Sequence, residues 1–181
     1  SVYRCMEEMI RKERPDVVDI CSPPSLHAPM IGYAMGAGCH VICEKPLTGW
    51  FGDSAEPDMA KKVMEQLEQL RRVVERSGRK FFYAANFIYA PAVQKSASLI
   101  RAAGEHILFM RGEESHSGSH AGHAALWSMN GGGSLIRQGC HPLSALLYLK
   151  QLENGKGAKA VGVTADMGYI VPTLNEEERK N

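Results

Sequence analysis

The sequence predicts an α/β fold, a doubly wound parallel sheet followed by the opening of an α+β domain. Three observations carry this. Short apolar runs of strand length alternate with helical patterns over residues 3–86. Each run is closed by turn-forming or helix-opening residues. After Asn86 the alternation breaks, and a long polar segment separates the next elements.

Taken in order, residues 3–13 place apolar side chains at helical spacing and stop at Arg14-Pro15-Asp16. Residues 17–21 (VVDIC) read as a buried strand ended by Ser22-Pro23-Pro24. Leu26 to Ala37 is helical, with a stop at Gly36-Ala37-Gly38. Residues 40–43 (HVIC) are a second strand, closed by Glu44-Lys45-Pro46. A loop bearing Gly, Asp and Pro leads to a strongly amphipathic helix over residues 58–77, which Gly78 ends. Residues 80–85 form a third strand that runs into Asn86. Crossovers of this kind are right-handed, so the three strands lie parallel and their carboxyl ends share one edge. That edge is where open α/β sheets bind ligands. It gathers a hydroxyl (Ser22), a carboxylate (Glu44), an ammonium (Lys45) and an amide (Asn86).

Beyond Asn86, Pro91 opens a helix that Gly104 closes, and residues 105–114 read as a longer strand. Residues 115–133 are polar and rich in His and Gly. Ser134 to Lys150 is helical, and residues 158–166 read as another strand. The expected division is a nucleotide-binding-type domain over 1–86 and an α+β domain over 87–181.

The bulk numbers narrow the function classes. The 181 residues carry a formal charge of +1, with 21 basic and 20 acidic side chains, which gives no pull toward nucleic acid or anionic membrane. No apolar run approaches the roughly 20 residues that span a bilayer. The five cysteines form no even framework, as expected of reduced thiols in a cytoplasmic protein. Cys39 and Cys43 alternate along a strand and lack a second pair, which argues against zinc. His116, His120 and His123 with Glu113 and Glu114 have ligand spacing only in a helix, and Gly118 and Gly122 favour a loop. No metal is expected.

Residues 15–48 (PDVVDICSPPSLHAPMIGYAMGAGCHVICEKPLT) and 131–141 (GGGSLIRQGCH) resemble two motifs of one family. It is the glucose-fructose oxidoreductase/inositol dehydrogenase/rhizopine catabolism family, Gfo/Idh/MocA. The first motif is the second half of its Rossmann domain, with Glu44-Lys45-Pro46 at a strand end after a Ser-Pro-Pro turn and His27. The second is a glycine run leading to a helix with the catalytic histidine, here His141. The resemblance implies a protein roughly twice this size, with the first strand and Gly-rich phosphate turn before Ser1, so that the chain is a fragment, partly seen or truncated.

The resemblance implies hydride transfer between NAD or NADP and a sugar, cyclitol or related hydroxy compound. Lys45 and His141 are then the catalytic pair. An ammonium at the nicotinamide edge stabilises the developing alkoxide and anchors the ribose. A histidine moves the hydroxyl proton near neutral pH. Ser22, Pro23, Pro24, His27, Glu44, Lys45 and Asn86 are the expected cofactor contacts, with a cis peptide at Pro46 aiming Lys45. His116, His123, Trp127, Arg137 and His141 are the expected substrate contacts, with Trp127 facing a sugar ring. One departure stands out. The family usually has aspartate four residues before the histidine, where this chain has Arg137, and an acid three after it, where this chain has Ser144. Arginine there favours neutral imidazole or grips an anionic substrate group. The alternatives are a nicotinamide-dependent glycoside hydrolase or lyase of the same family, and a diverged non-catalytic binding protein. A homodimer or homotetramer is the family-level expectation.

Overall fold

The computed structural model describes residues 1–115, 126–154 and 159–166. Two units form: residues 1–84 with the later stretch up to Arg137, and residues 85–115 with those from Gln138 onward. The predicted division at 86 left residues 126–137 with the second domain, whereas they pack with the first unit.

The first unit is built on three parallel strands in the order β1-β2-β3: β1 (Val17–Ile20), β2 (His40–Cys43) and β3 (Phe81–Tyr83). Val18 pairs with Val41 and Ile20 with Cys43, and Val41 in turn pairs with Phe81. Helices α1 (Met6–Glu13), α2 (His27–Gly36) and α3 (Met59–Ser77) connect and cover them. Alternate strand residues point one way, so Val18, Ile20, Val41 and Cys43 are buried. They pack with Ile10, Ile31, Ala34, Met35, Cys39 and Leu70. Each fully buried aliphatic side chain of this kind contributes about 1.5–3 kcal/mol. Val17, Asp19 and Phe82, on alternate positions, are exposed. Gly78 ends α3 with φ +64°, which a glycine adopts without penalty.

The second unit pairs α4 (Pro91–Ala103) with α6 (Cys140–Asn154), with a 3₁₀ turn over Asn86–Tyr89 packed on both. Pro91 at the first turn and Gly104 at φ +66° bound α4 where the sequence placed its ends. Gln94 donates to the Ile88 carbonyl (2.6 Å) and to the Tyr148 hydroxyl (3.3 Å).

Two predicted strands do not form. Residues 105–114 carry no ladder. Instead the backbone of Ile107 is held by side chains of α6: Lys150 donates to its carbonyl (2.9 Å), and its amide donates to Glu153. A pleated pattern becomes a strand only with a partner backbone, and here side chains take those hydrogen-bonding groups. Residues 159–166 of the predicted strand 158–166 also carry no ladder, and residue 158 lies outside the described residues. The helix predicted from Ser134 forms, with a π turn over Leu135–Gly139 in its first part that runs on into α6. A short helix α5 (Trp127–Asn130) lies in the stretch read as polar loop. No helix among the described residues is long and apolar enough to cross a membrane.

Candidate active site

The parallel ladder delivers two turns side by side at the carboxyl edge of β1 and β2. Glu44 N–H donates to the Ile20 carbonyl (3.0 Å), and Ala84 N–H to that of Cys43 (2.9 Å), so hydrogen bonding continues past the strands. After β1 the chain turns through Ser22 and Pro23 into a 3₁₀ turn at Pro24–Leu26, and Leu26 N–H donates to the Pro23 carbonyl (2.9 Å). After β2, the Glu44 carboxylate accepts the Lys45 amide (3.0 Å), and the Lys45–Pro46 peptide is cis, as the sequence reading anticipated.

Lys45 is half-buried, and its Nζ donates to the Arg137 carbonyl at 2.9 Å. That carbonyl sits in the π turn, a wide helical turn of a kind frequent at functional sites. This bond joins residues 92 apart in the chain. The stretch before it is seated by a backbone seam. Trp50 N–H donates to the Gly131 carbonyl at 2.8 Å. A Cβ on Gly49 would lie 2.3 Å from the Gly131 oxygen, so both positions need glycine for close approach. Gly131, Gly132 and Gly133 all have positive φ (72°, 143° and 31°). This seam, joining the loop after Lys45 to the glycine run, was not anticipated from sequence.

His27 occupies a different role from the one expected of it. It is fully buried, and its two ring nitrogens lie 2.9 Å from the carbonyls of Pro46 and Ser22. A ring so enclosed cannot touch a cofactor, so the expected contact becomes a support beneath the rim. Pro24 is likewise buried, at the start of the 3₁₀ turn, so the contact expected of it has no exposed surface. Ser22 and Pro23 are half-buried, and Glu44 remains partly exposed at the rim. Trp127 presents a buried indole Nε1 with no hydrogen-bond partner among the described residues. His116 and His123 lie outside the described residues.

In the second unit, His141 is 9% exposed and stacks on Phe87, with ring centroids 4.3 Å apart and an interplanar angle of 28°. Phe87 was missed in the sequence reading; its signal was an aromatic directly after the strand-ending Asn86. Asn86 is exposed at the start of its 3₁₀ turn. Two thiols flank the rim. Burial pushes the Cys43 thiol up to about 12, and partial burial with the Asp19 carboxylate pushes Cys21 up. Neither is a poised nucleophile.

The rim's donor set can be matched to the nicotinamide-ribose half of a dinucleotide. Ribose hydroxyls and a carboxamide want mixed donors and acceptors, and Lys45, Glu44 and Ser22 provide them on the edge where such ligands bind. The pyrophosphate half would need a glycine-rich helix start after a strand. Among the described residues, none of the three strands runs into one.

Residues 1–77 match the family model described as an oxidoreductase family with an NAD-binding Rossmann fold. An uncharacterized oxidoreductase of Schizosaccharomyces pombe is 38% identical over 75 residues, 40% of this chain and 20% of the relative. D-glucoside 3-dehydrogenase of Escherichia coli is 34% identical over 74 residues, 41% of this chain and 19% of the relative. The matched stretch thus spans about a fifth of each relative's length. The crystal structure of an NAD binding oxidoreductase from Klebsiella pneumoniae is similar at a TM-score of 0.60 and 28% identity, covering 82% of this chain and 38% of that one. In sequence and in its parallel-strand fold, the stretch over residues 1–77 is similar to the Gfo/Idh/MocA oxidoreductases, the family with an NAD-binding Rossmann fold whose model it matches.

Proposed function

We propose that the protein is an NAD- or NADP-dependent oxidoreductase that removes hydride from a secondary alcohol of a sugar, cyclitol or related hydroxy compound. The observation that carries this reading is the half-buried Lys45 ammonium at the carboxyl edge of a parallel sheet, held on the Arg137 carbonyl. The nicotinamide supplies the hydride acceptor. Every other part falls to the chain. Lys45 stabilises the negative charge that grows on the substrate oxygen as hydride leaves the carbon, and it hydrogen-bonds the ribose edge. Glu44 and Ser22 hold further ribose or carboxamide groups. His141, four residues beyond Arg137 in the chain, accepts the hydroxyl proton. Trp127 offers an apolar surface to the ring, and Arg137 selects an anionic substituent.

The test is nicotinamide reduction by the full-length protein across a panel of polyols, aldoses and uronates. Lys45→Met should lower kcat by about a hundredfold or more, since one preorganised charge contact contributes about 10²–10³ to the rate. His141→Asn should lower kcat with cofactor affinity retained. Turnover that survives both substitutions would remove the reading.

A further inference from the structure

The outer side-chain torsion of histidine is broad, so the plane of an imidazole is set by its neighbours more than by its rotamer. A ring nitrogen takes a proton in that plane, and hydrogen bonding weakens steeply as the donor leaves it. In α6, His141 is 9% exposed and meets the ring of Phe87 face to face, at 4.3 Å between centroids and 28° between planes.

Phe87 is itself held in place. Ala90 N–H donates to its carbonyl (3.0 Å) at the end of the 3₁₀ turn over Asn86–Tyr89. Gln94 of α4 donates to the carbonyl of the next residue, Ile88 (2.6 Å), and to the Tyr148 hydroxyl (3.3 Å). Arg101 donates to the same hydroxyl (3.4 Å). Tyr148 lies about two turns beyond His141 on the same face of α6. The turn that carries Phe87 is therefore tied to the helix that carries His141 at two points, the stacked rings and Gln94. Phe87 stays 39% exposed, so burial of its ring is incomplete and its defined contact is the face on His141.

We propose that Phe87 is a positioning residue for His141: its ring fixes the plane of the imidazole, and with it the direction from which a nitrogen takes the proton of the substrate hydroxyl. The inference rests on the reading of His141 as proton acceptor. In that step the O–H proton passes to the imidazole while hydride leaves the carbon bearing the hydroxyl for the nicotinamide, and the alcohol becomes a ketone.

The experiment compares Phe87→Leu and Phe87→Tyr with wild type in the full-length protein, by nicotinamide reduction across the polyol and aldose panel and by NADH titration. Leucine fills the place without a ring face, whereas tyrosine keeps one. Phe87→Leu should lower kcat by about tenfold or more, since a small misplacement of a reacting group costs up to about 10²-fold. NADH affinity should hold, and Phe87→Tyr should turn over close to wild type. Equal kcat in wild type and Phe87→Leu overturns the positioning role. So does an equal loss in both variants, or a loss of NADH affinity in step with kcat, each of which marks packing alone. His141→Asn, run beside them, separates the two claims. If it leaves kcat unchanged, the proton-acceptor reading falls and the positioning role with it; if it is impaired while Phe87→Leu is not, the positioning role alone falls. A readout free of turnover is proton NMR of the His141 imidazole C–H groups, identified by their loss in His141→Asn. Wild type should show cross-relaxation between them and the Phe87 ring, and its absence overturns the stack whether or not Phe87→Leu folds.

Discussion

Adding one methyl group at Gly49 tests whether the glycine seam seats the Arg137 carbonyl against Lys45. The methyl would meet the Gly131 oxygen at 2.3 Å and its Cα and carbonyl carbon at 2.7 Å. These are backbone atoms on both sides, so no side chain can swing away. The cost is overpacking alone, at the upper end of the usual range, about 3 kcal/mol. Gly131→Ala adds a left-handed backbone at φ +72°, about 1–2 kcal/mol for a residue with a Cβ, to contacts of 2.5 Å with Phe51 and 2.8 Å with Gly49. Its Phe51 contact is a side-chain ring that can give, so a total of about 2–4 kcal/mol is expected. Gly78→Ala is the internal control: φ is +64° with nothing within 4 Å, so only the backbone term of about 1 kcal/mol remains. Urea unfolding of the full-length protein measures all three. The seam predicts the order Gly49→Ala ≈ Gly131→Ala > Gly78→Ala. A Gly49→Ala variant as stable as wild type would refute it, and so would a control that costs as much as the seam positions.

Three further outcomes follow from the site and the second unit. Alkylation at about pH 8 should label the exposed Cys5 quickly and leave Cys43 untouched until unfolding, since a thiol raised to about 12 is about 10⁻⁴ thiolate there; equal labelling rates would contradict the burial assigned to β2. The Glu153 carboxyl is held below its usual range by the Lys150 ammonium first and the Ile107 amide second. Its stabilisation is therefore full above the ordinary carboxylate range and is lost as pH falls through the lowered value. Hydrogen exchange at Ile107 should speed up in acid and in Glu153→Ala at neutral pH; unchanged protection in both would dismiss the Ile107 anchor. Arg137→Asp should shift the pH optimum and the preference between neutral and anionic substrates, measured as kcat/KM across polyols and uronates. Unchanged profiles would place Arg137 outside the substrate site.

Local chemistry made much of the fold legible. The ends of α4 at Pro91 and Gly104 and of α3 at Gly78 are dictated by residues that act within one turn. The three parallel strands followed from strand-length apolar runs separated by helices. What escaped reading depends on partners far along the chain. Residues 105–114 alternate like a strand, yet Ile107 is bonded by side chains 43 and 46 residues later. His27 follows a Ser-Pro-Pro turn and was expected at the cofactor edge, and only the Pro46 carbonyl, 19 residues on, reveals its enclosure. The run LIRQG has helical character whether its turn is α or π, so sequence alone did not separate them. Lys45 was legible because position decided it: the carboxyl edge of a parallel sheet gives a lysine work that a generic surface position does not. Its Arg137 partner was not, since no local signal links residues 92 apart.

Equilibrium titration of NADH and NADPH against the full-length protein and its Lys45→Met variant tests the account most directly, read by the nicotinamide's own fluorescence. Wild type should bind one of the two, and the variant should bind it about 10- to 100-fold more weakly, the loss of one charge-assisted contact of about 1.5–3 kcal/mol. Equal affinity in the two proteins, or no binding by wild type, would contradict the assignment of the rim to a nicotinamide.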